Sequence, residues 1–102
     1  MAISTDPRTI SRTALAAFAR RHGVVRLALF GSAARAEMTP TSDVDVLIEM
    51  KPASRAGLFD QVRMAAELAG LFGRRVDLVT RAGLRPRVRA TVDREAIVLF
   101  EA

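Results

Sequence analysis

Three aspartates stand among apolar residues in segments that the sequence predicts to be β-strands. Asp43 and Asp45 lie two apart in DVDVLIE, and Asp77 lies inside RVDLVT. Residues two apart in a strand share one face, with Cα atoms about 6–7 Å apart. Val44, Val46 and Ile48 then lie on the opposite face, toward the core. If the two strands are neighbours, Asp77 joins the same cluster of carboxylates.

Such a cluster favours the binding of divalent cations. At about 5 Å and an effective dielectric constant of about 20, each pair of carboxylates repels by about 3 kcal/mol. Hard cations remove this repulsion, and ligation by oxygen alone suits Mg²⁺ or Mn²⁺. Two such ions can clamp triphosphate oxygens and activate an attacking hydroxyl for in-line displacement. From spacing alone the alternative is that Asp43, Asp45 and Glu49 line the solvated face of an amphipathic strand.

A glycine–serine pair precedes the aspartates. Gly31 and Ser32 follow the apolar segment VVRLALF, where a strand ends and a short helix can begin. Free backbone N–H groups and the Ser32 hydroxyl could hold phosphate there, and glycine allows close approach of the backbone. An ordinary strand-to-helix turn is the alternative. The whole order of features favours phosphate binding: a strand, Gly-Ser, an arginine, a turn, S-D-x-D and a third strand with its own aspartate.

Length and composition exclude several classes of protein. A chain of 102 residues, half of them hydrophobic, predicts one domain over residues 1–102 with its own core. The absence of cysteine excludes disulfides, thiolate metal sites and cysteine nucleophiles, and a single histidine excludes a histidine-rich zinc site. No apolar run approaches about 18 residues, and the N-terminus has no apolar segment typical of a secretion signal. We therefore expect a cytoplasmic protein without a membrane partner.

The formal net charge is +5, from sixteen basic and eleven acidic residues, and Lys51 is the only lysine. This excess favours anionic partners. However, the arginines are spread along the chain, and the sequence contains no tryptophan or tyrosine with which to stack on single-stranded nucleic acid. The alternative is a solvated surface that reflects an arginine-rich composition. We therefore expect no direct binding of nucleic acid.

The hydrophobic pattern predicts an α+β fold of mixed α/β character, with helices packed against a small sheet. Asp6-Pro7 is typical of a helix start, and Gly23 of a helix end. Spacing within the second long helix predicts a buried stripe of Leu58, Val62, Ala65, Ala69 and Phe72. The predicted elements after the first helix are a strand at Val24–Phe30, a helical turn at Ala33–Glu37, a strand at Asp43–Glu49, a helix at Gly57–Phe72, a strand at Val76–Thr80, a helix at Leu84–Glu95 and an edge strand at Ala96–Phe100.

The segment LFGSAARAEMTPTSDVDVLIE resembles the GSxARG…SDxDLLV signature of the minimal nucleotidyltransferases, members of the DNA polymerase β-like superfamily. GLFDQVRMAAELAGLFGRRVDLVT resembles the helix and third strand of that family, and LRPRVRATVDREAIVLFEA resembles its C-terminal end. The resemblance thus extends from about residue 24 to the last residues. It implies a small nucleotidyltransferase fold, with a mixed sheet of three to four strands and helices packed against it.

The resemblance also assigns roles to individual residues. Asp43 and Asp45 match the metal-binding pair, which holds two Mg²⁺ ions, or Mn²⁺. Asp77 matches the third carboxylate, which helps to bind metal and deprotonates the acceptor hydroxyl. Gly31 and Ser32 match the turn that binds the triphosphate of ATP, and the resemblance extends the nucleotide site to Ser42 and Arg35.

Two positions of the phosphate loop raise questions. Arg35 matches the family arginine, which either contacts phosphate or supports the loop by bonding a carboxylate. Ala36 stands where the family usually has glycine, so the sequence implies a helical turn at a point where glycine allows more freedom. This substitution brings the geometry of the phosphate loop into question and leaves the metal site untouched.

The implied reaction is transfer of AMP from Mg·ATP to a hydroxyl. Small members of the family are commonly antitoxins that adenylylate a tyrosine of a HEPN-domain ribonuclease toxin. The chain has no tyrosine of its own, so a tyrosine acceptor must belong to a different protein. We expect the chain to form a homo- or hetero-oligomer. Two alternatives remain: a non-catalytic antitoxin or subunit that neutralises its partner by contact, and one chain of an antibiotic-modifying nucleotidyltransferase.

A group of arginines after the third strand is a candidate surface for docking that partner. Its members are Arg81, Arg85, Arg87 and Arg89. The alternative is a solvated helix face, on which Arg89 pairs with Asp93, four residues further along.

Overall fold

A four-stranded sheet forms the centre of the structure, a computed structural model that describes residues 6–55 and 57–102. The strand order is β3-β2-β1-β4, with β1 antiparallel to both β2 and β4, and β2 parallel to β3. This mixed sheet confirms the predicted α+β fold. The helices and strands are α1 Arg12–His22, β1 Val24–Phe30, α2 Gly31–Ala34, β2 Val44–Met50, α3 Leu58–Phe72, β3 Val76–Thr80, α4 Pro86–Glu95 and β4 Ile97–Glu101.

The main core lies between one face of the sheet and the helices α1 and α3. Val44, Val46 and Ile48 of β2 are fully buried in it, as the alternation of the sequence predicts. Leu15 and Phe18 of α1 belong to the same cluster, together with three residues of α3. Because side chains alternate along a strand, Asp45 lies on the other face, away from α1 and α3.

The first helix begins later than predicted. Asp6 caps a single 3₁₀ turn, Pro7–Thr9, by accepting the N–H of Arg8 at 3.0 Å. An extended residue at position 10 separates that turn from α1, whose start Ser11 caps by accepting the N–H of Ala14 at 3.2 Å. The Asp-Pro pair thus starts only a short 3₁₀ turn, and α1 begins separately after its own cap, Ser11. The predicted end is confirmed, because Gly23 has a φ of 72°.

The predicted buried stripe of α3 is wrong in its first half, at Leu58 and Val62, and confirmed at its end, at Phe72. Ala65 and Ala69 between them are half-buried. Leu58 is 75% exposed and Val62 is 60% exposed, whereas Met64, Leu68 and Phe72 are buried against the sheet. The helix carries apolar residues on both sides at helical spacing, so periodicity alone could not show which side the sheet would cover.

The opposite face of the sheet lies toward the C-terminal part of the chain. A 3₁₀ turn, Arg81–Gly83, follows β3 and contacts β2, and α4 contacts α2. Helix α4 buries Val92 but leaves Val88 about half exposed. Strand β4 is the edge strand predicted from AIVLF, and α1 is tied to it because Arg12 Nη1 donates to the carbonyl of Leu99 at 2.8 Å. Within the described residues, no helix is both long and apolar enough to span a membrane.

Candidate active site

The backbone places Asp45 beside Asp77 at the N-terminal ends of β2 and β3, with Asp43 directly before β2. Asp45 and Asp77 are register partners in the parallel ladder of β2 and β3, where neighbouring strands lie about 4.8 Å apart. Asp43 comes just before β2, and the N–H of Val44 extends the pairing by donating to the carbonyl of Arg75 at 2.9 Å. The condition stated from the sequence, that the two strands be neighbours, is therefore met.

The charges of this cluster disfavour ionisation of Asp45. Partial burial raises the pKa of Asp45, and the negative charges of Asp77 and Asp43 raise it further, while the charge of Arg35 opposes them. The charged form of Asp45 therefore lowers the stability of the folded state at neutral pH when no cation is bound. Burial is thus the main cause of the raised pKa of Asp45, and the repulsion expected between clustered carboxylates is a further cause.

Asp43 has a competing partner. Its Oδ1 lies 3.4 Å from Nε of Arg75, whose side chain is 85% exposed. No three of the histidine, aspartate and glutamate side chains in the described part of the chain converge, as they stand, to hold a metal ion. The donor set still fits a hard divalent cation, because it consists of carboxylate oxygens and its charge is unfavourable without one. An exposed ion pair such as Asp43–Arg75 is weak enough to open.

Gly31 adjoins the carboxylate of Asp45. Its φ of 64° lies in the left-handed region, and it follows Phe30, the register partner of Asp45 in β1. A Cβ built on Gly31 would lie 3.2 Å from Cγ of Asp45 and closer still to its Oδ2. Any side chain at position 31 would therefore displace the Asp45 carboxylate, so both the backbone conformation and the space require glycine.

The helical turn after β1 differs from the prediction. Helix α2 covers Gly31–Ala34, two residues earlier than the predicted start, and is followed by Ala36 with a φ of 57°. The expected helical turn at Ala36 is wrong, because Ala36 adopts the left-handed conformation that glycine would favour. The N–H of Glu37 closes the turn by donating to the carbonyl of Ser32 at 2.9 Å. A non-glycine residue pays about 1–2 kcal/mol for this conformation.

Arg35 bonds carboxylates in this structure. Its guanidinium pairs with Glu37, and its Nη1 lies 3.2 Å from Oε2 of Glu95. Both carboxylates raise its pKa, Glu37 the more strongly. Of the two roles stated for Arg35, the geometry supports bonding to carboxylates, which ties the end of α2 to the end of α4. Contact with phosphate stays a prediction.

Ser42 belongs to a turn that leads into β2. Its Oγ accepts the N–H of Thr39 at 2.8 Å, and its own N–H donates to the carbonyl of Thr39 at 3.1 Å. Arg74 secures this turn, because its Nη1 donates to the carbonyls of Thr39 at 2.8 Å and Ser42 at 3.1 Å. Sequence reasoning missed Arg74 and Arg75, although a pair of arginines directly before the aspartate-bearing third strand was a usable signal.

The predicted arginine surface does not form one cluster beside the carboxylates. Arg81 pairs with Asp93 through two hydrogen bonds of 3.1 and 2.6 Å, whereas Arg89 donates to the carbonyl of Leu84 at 2.9 Å. The alternative pair Arg89–Asp93 is thus replaced by Arg81–Asp93. Arg81 follows β3 four residues after Asp77, about 13 Å along the strand.

Arg81 and Arg89 instead line a cavity of about 600 Å³ with Glu49, at the other end of β2 and β3. Arg85 and Arg87 are exposed at the start of α4, and the end of α4 is the part that approaches α2. These arginines therefore do not face the opening at the aspartates.

A family model described as a nucleotidyltransferase domain matches residues 11–99. The chain belongs to this nucleotidyltransferase family. A relative from Methanocaldococcus jannaschii, which carries the name of a protein adenylyltransferase, is 38% identical over 77 residues, covering 76% of this chain and 81% of the relative. Protein adenylyltransferase MntA of Thermococcus cleftensis is 35% identical over 77 residues, covering 76% of each chain. This nucleotidyltransferase is thus a transferase of the minimal type.

Solved structures agree with the fold of the nucleotidyltransferase. A structure described as a minimal nucleotidyltransferase has a TM-score of 0.73 at 44% identity, covering 84% of this chain and 86% of the other. A toxin–antitoxin structure with AMP-PNP has a TM-score of 0.74 at 19% identity, covering 91% and 75%. A complex of tri-AMPylated Shewanella oneidensis HEPN toxin with MNT antitoxin has a TM-score of 0.66 at 17% identity, covering 97% and 74%. The last two show the shared fold.

Proposed function

We propose that this nucleotidyltransferase transfers AMP from Mg·ATP to a hydroxyl of a partner protein, a tyrosine of a HEPN-type ribonuclease toxin, and acts as its antitoxin. The observation that carries the proposal is the adjacency of Asp45 to both Asp77 and Gly31. It brings a carboxylate cluster next to a turn that only glycine fits. Two relatives named protein adenylyltransferase and two structures of toxin–antitoxin complexes support the choice of acceptor.

The carboxylates Asp43, Asp45 and Asp77 are the residues that would hold Mg²⁺, as two ions shared among them. When bound, the metal supplies positive charge that offsets the charge of the triphosphate and of the carboxylates. To take part in holding the metal, Asp43 would have to give up its ion pair with Arg75. The exposure of Arg75 makes that exchange inexpensive, since the ion pair is screened by water.

The turn at the start of α2 is the proposed binding region for the phosphates. The first N–H groups of a helix have no intrahelical acceptors, and the backbone at Gly31 can approach an anion closely. The Ser32 hydroxyl adds a donor, and Ser42 and Arg35 extend the proposed nucleotide site. Arg35 would then exchange Glu37 or Glu95 for phosphate, again at exposed ion pairs.

Asp77 is the proposed base. It is exposed beside Asp45, so an acceptor hydroxyl can approach it from solvent. The acceptor oxygen attacks the α-phosphorus of ATP and gives its proton to Asp77. The bond from the α-phosphorus to the bridging oxygen breaks, and pyrophosphate leaves with that oxygen. AMP stays on the acceptor oxygen.

The experiment that tests this function is intact-mass analysis of this protein and a co-expressed HEPN-domain partner after incubation with ATP and Mg²⁺. The partner is expected to gain the mass of AMP, and this chain is not. A toxin that is neutralised with no mass gain would favour the contact-only antitoxin. A gain on this chain alone would contradict a partner acceptor.

A further inference from the structure

The outward side of α3 is an apolar stripe that no other part of residues 6–55 and 57–102 covers. Phe59 is 82% exposed and Val62 is 60% exposed, and Leu58 borders them. The exposed Ala66 and Gly70 continue the same line. Steps of three and four residues put positions 59, 62, 66 and 70 on one side of a helix, which we name the α3 stripe.

Exposure of such a stripe indicates an interaction surface. An exposed phenylalanine offers about 150–250 Å² for burial, and contiguous apolar patches of several hundred Å² on soluble proteins commonly mark binding sites. The buried side of α3 is already satisfied by the core, through Met64, Leu68 and Phe72. Packing within the described fold therefore gives no reason for the residues of the stripe to be apolar.

The α3 stripe is remote from the carboxylates. Helix α3 packs on the sheet face that contains Val44, Val46 and Ile48, whereas Asp45 lies on the other face. A molecule that covers the stripe thus leaves the proposed active site open. An acceptor protein that presents its hydroxyl to Asp77 approaches from the opposite side of the sheet.

The residues of the stripe are complementary to themselves. The large side chains Phe59 and Val62 occupy its first half, and the small residues Ala66 and Gly70 occupy its second half. An antiparallel copy of α3, related by a two-fold axis near residues 64 and 65, brings Phe59 against Gly70 and Val62 against Ala66. Small residues let two helix backbones approach closely, so each bulky side chain meets a space that fits it.

Charges at one margin of the stripe match the same arrangement. Arg63 is exposed there, and Glu67 lies one turn further along. A two-fold axis perpendicular to the helices keeps this margin on the same side, so Arg63 of each copy faces Glu67 of the other. Glu67 bonds Arg21 and lies 3.3 Å from His22 within its own chain, so its carboxylate is already held at that margin.

We propose that the α3 stripe is a two-fold interface between two copies of this chain, with the α3 helices antiparallel. The two large side chains of the stripe and the bordering Leu58 supply less than the roughly 800 Å² per partner of a standard stable interface, so the dimer is reversible. In this dimer, the three aspartates of each copy stay accessible to a separate acceptor protein.

Sedimentation analysis of the chain alone tests the proposal, at protein concentrations from roughly 1 μM to 1 mM. The wild-type protein should show a concentration-dependent dimer. Phe59→Asp and Ala66→Asp should each abolish the dimer. Because both positions are exposed, the thermal midpoint should be unchanged at the low protein concentrations at which the wild type is monomeric. The matched control is Val88→Asp, which puts the same charge on an exposed valine of α4 and should leave the dimer intact.

A second measurement tests the antiparallel register, using the absence of native cysteine. Val62→Cys and Ala66→Cys chains should oxidise to a disulfide-linked dimer faster when mixed than either variant does alone, since the two positions face each other. A wild-type monomer throughout the concentration range would overturn the proposal. A dimer that persists in the Phe59→Asp variant would also overturn it. So would Phe59→Asp and Ala66→Asp variants that still dimerise but no longer bind a different partner protein.

Discussion

Asp45 and Asp77 lie directly opposite each other in the parallel ladder between β2 and β3. Partial burial of Asp45 disfavours its charge, and repulsion between the two carboxylates at these adjacent strand positions adds to that cost. The fold therefore maintains an arrangement that weakens it at neutral pH. Such an arrangement is expected where negative charge is needed for binding a cation.

The pH dependence of stability should reveal this cost. The pKa of Asp45 is raised in the folded state, so the folded protein binds more protons than the unfolded chain between the ordinary value of 3.8 and the raised value. Stability is then lost as pH rises through that window. Asp45→Asn should raise the thermal midpoint at pH 7 and give no such gain below the ordinary pKa. Thermal melts of both proteins over that pH range measure the difference.

Asp93→Asn is the matched control, because it should change stability at pH 7 in the opposite direction to Asp45→Asn. The hydrogen bonds from Arg81 lower the pKa of Asp93, so its contribution is present above 3.8 and is lost as pH falls through the lowered pKa. The substitution should reduce stability at pH 7 and have less effect in acid. An Asp45→Asn variant that loses stability at pH 7, as Asp93→Asn does, would contradict the account of Asp45.

Gly31→Ala should destabilise the fold by about 1–3 kcal/mol, because it adds left-handed strain and a clash with the Asp45 carboxylate. A double-mutant cycle separates the two causes. Asp45→Ala removes the carboxylate, so Gly31→Ala should cost less in that background, with the backbone strain remaining. Urea unfolding of the four proteins measures the coupling. Equal costs in both backgrounds would show that the contact is unimportant.

Ala36→Gly should have the opposite effect of Gly31→Ala. Ala36 already has a φ of 57°, so glycine relieves strain there while adding entropy to the unfolded chain. The expected net gain is up to about 1 kcal/mol, measured by urea unfolding. Ala34→Gly is the control, since Ala34 is helical and should lose stability instead. A loss from Ala36→Gly would refute the left-handed conformation.

Much of this fold could be predicted because local signals agreed with one another. Alternation around Val46 identified the core face of β2 and, with it, the opposite face that carries Asp45. Gly23 identified the end of α1. In these places the chain itself determines the conformation, through side-chain alternation and the need for a residue that tolerates positive φ.

Other features could not be predicted from residue spacing, because they depend on contacts between distant parts of the chain. Leu58 and Met64 both lie at helical spacing with apolar neighbours, and only packing against the sheet decided that Met64 is buried. Ala36 adopts a conformation that its own residue type disfavours, because the turn between α2 and β2 requires it. Arg81 and Asp93 are twelve residues apart, whereas helical spacing predicts only pairs three or four residues apart.

The most direct test of AMP transfer compares ATP labelled at the α-phosphate with ATP labelled at the γ-phosphate, each with Mg²⁺ and the HEPN-domain partner. The α-label should appear on the partner protein and the γ-label should leave with pyrophosphate, and Asp45→Asn should abolish the transfer. Transfer of the γ-label, or an α-label that persists undiminished in Asp45→Asn, would contradict the proposed nucleotidyl transfer by the carboxylate cluster.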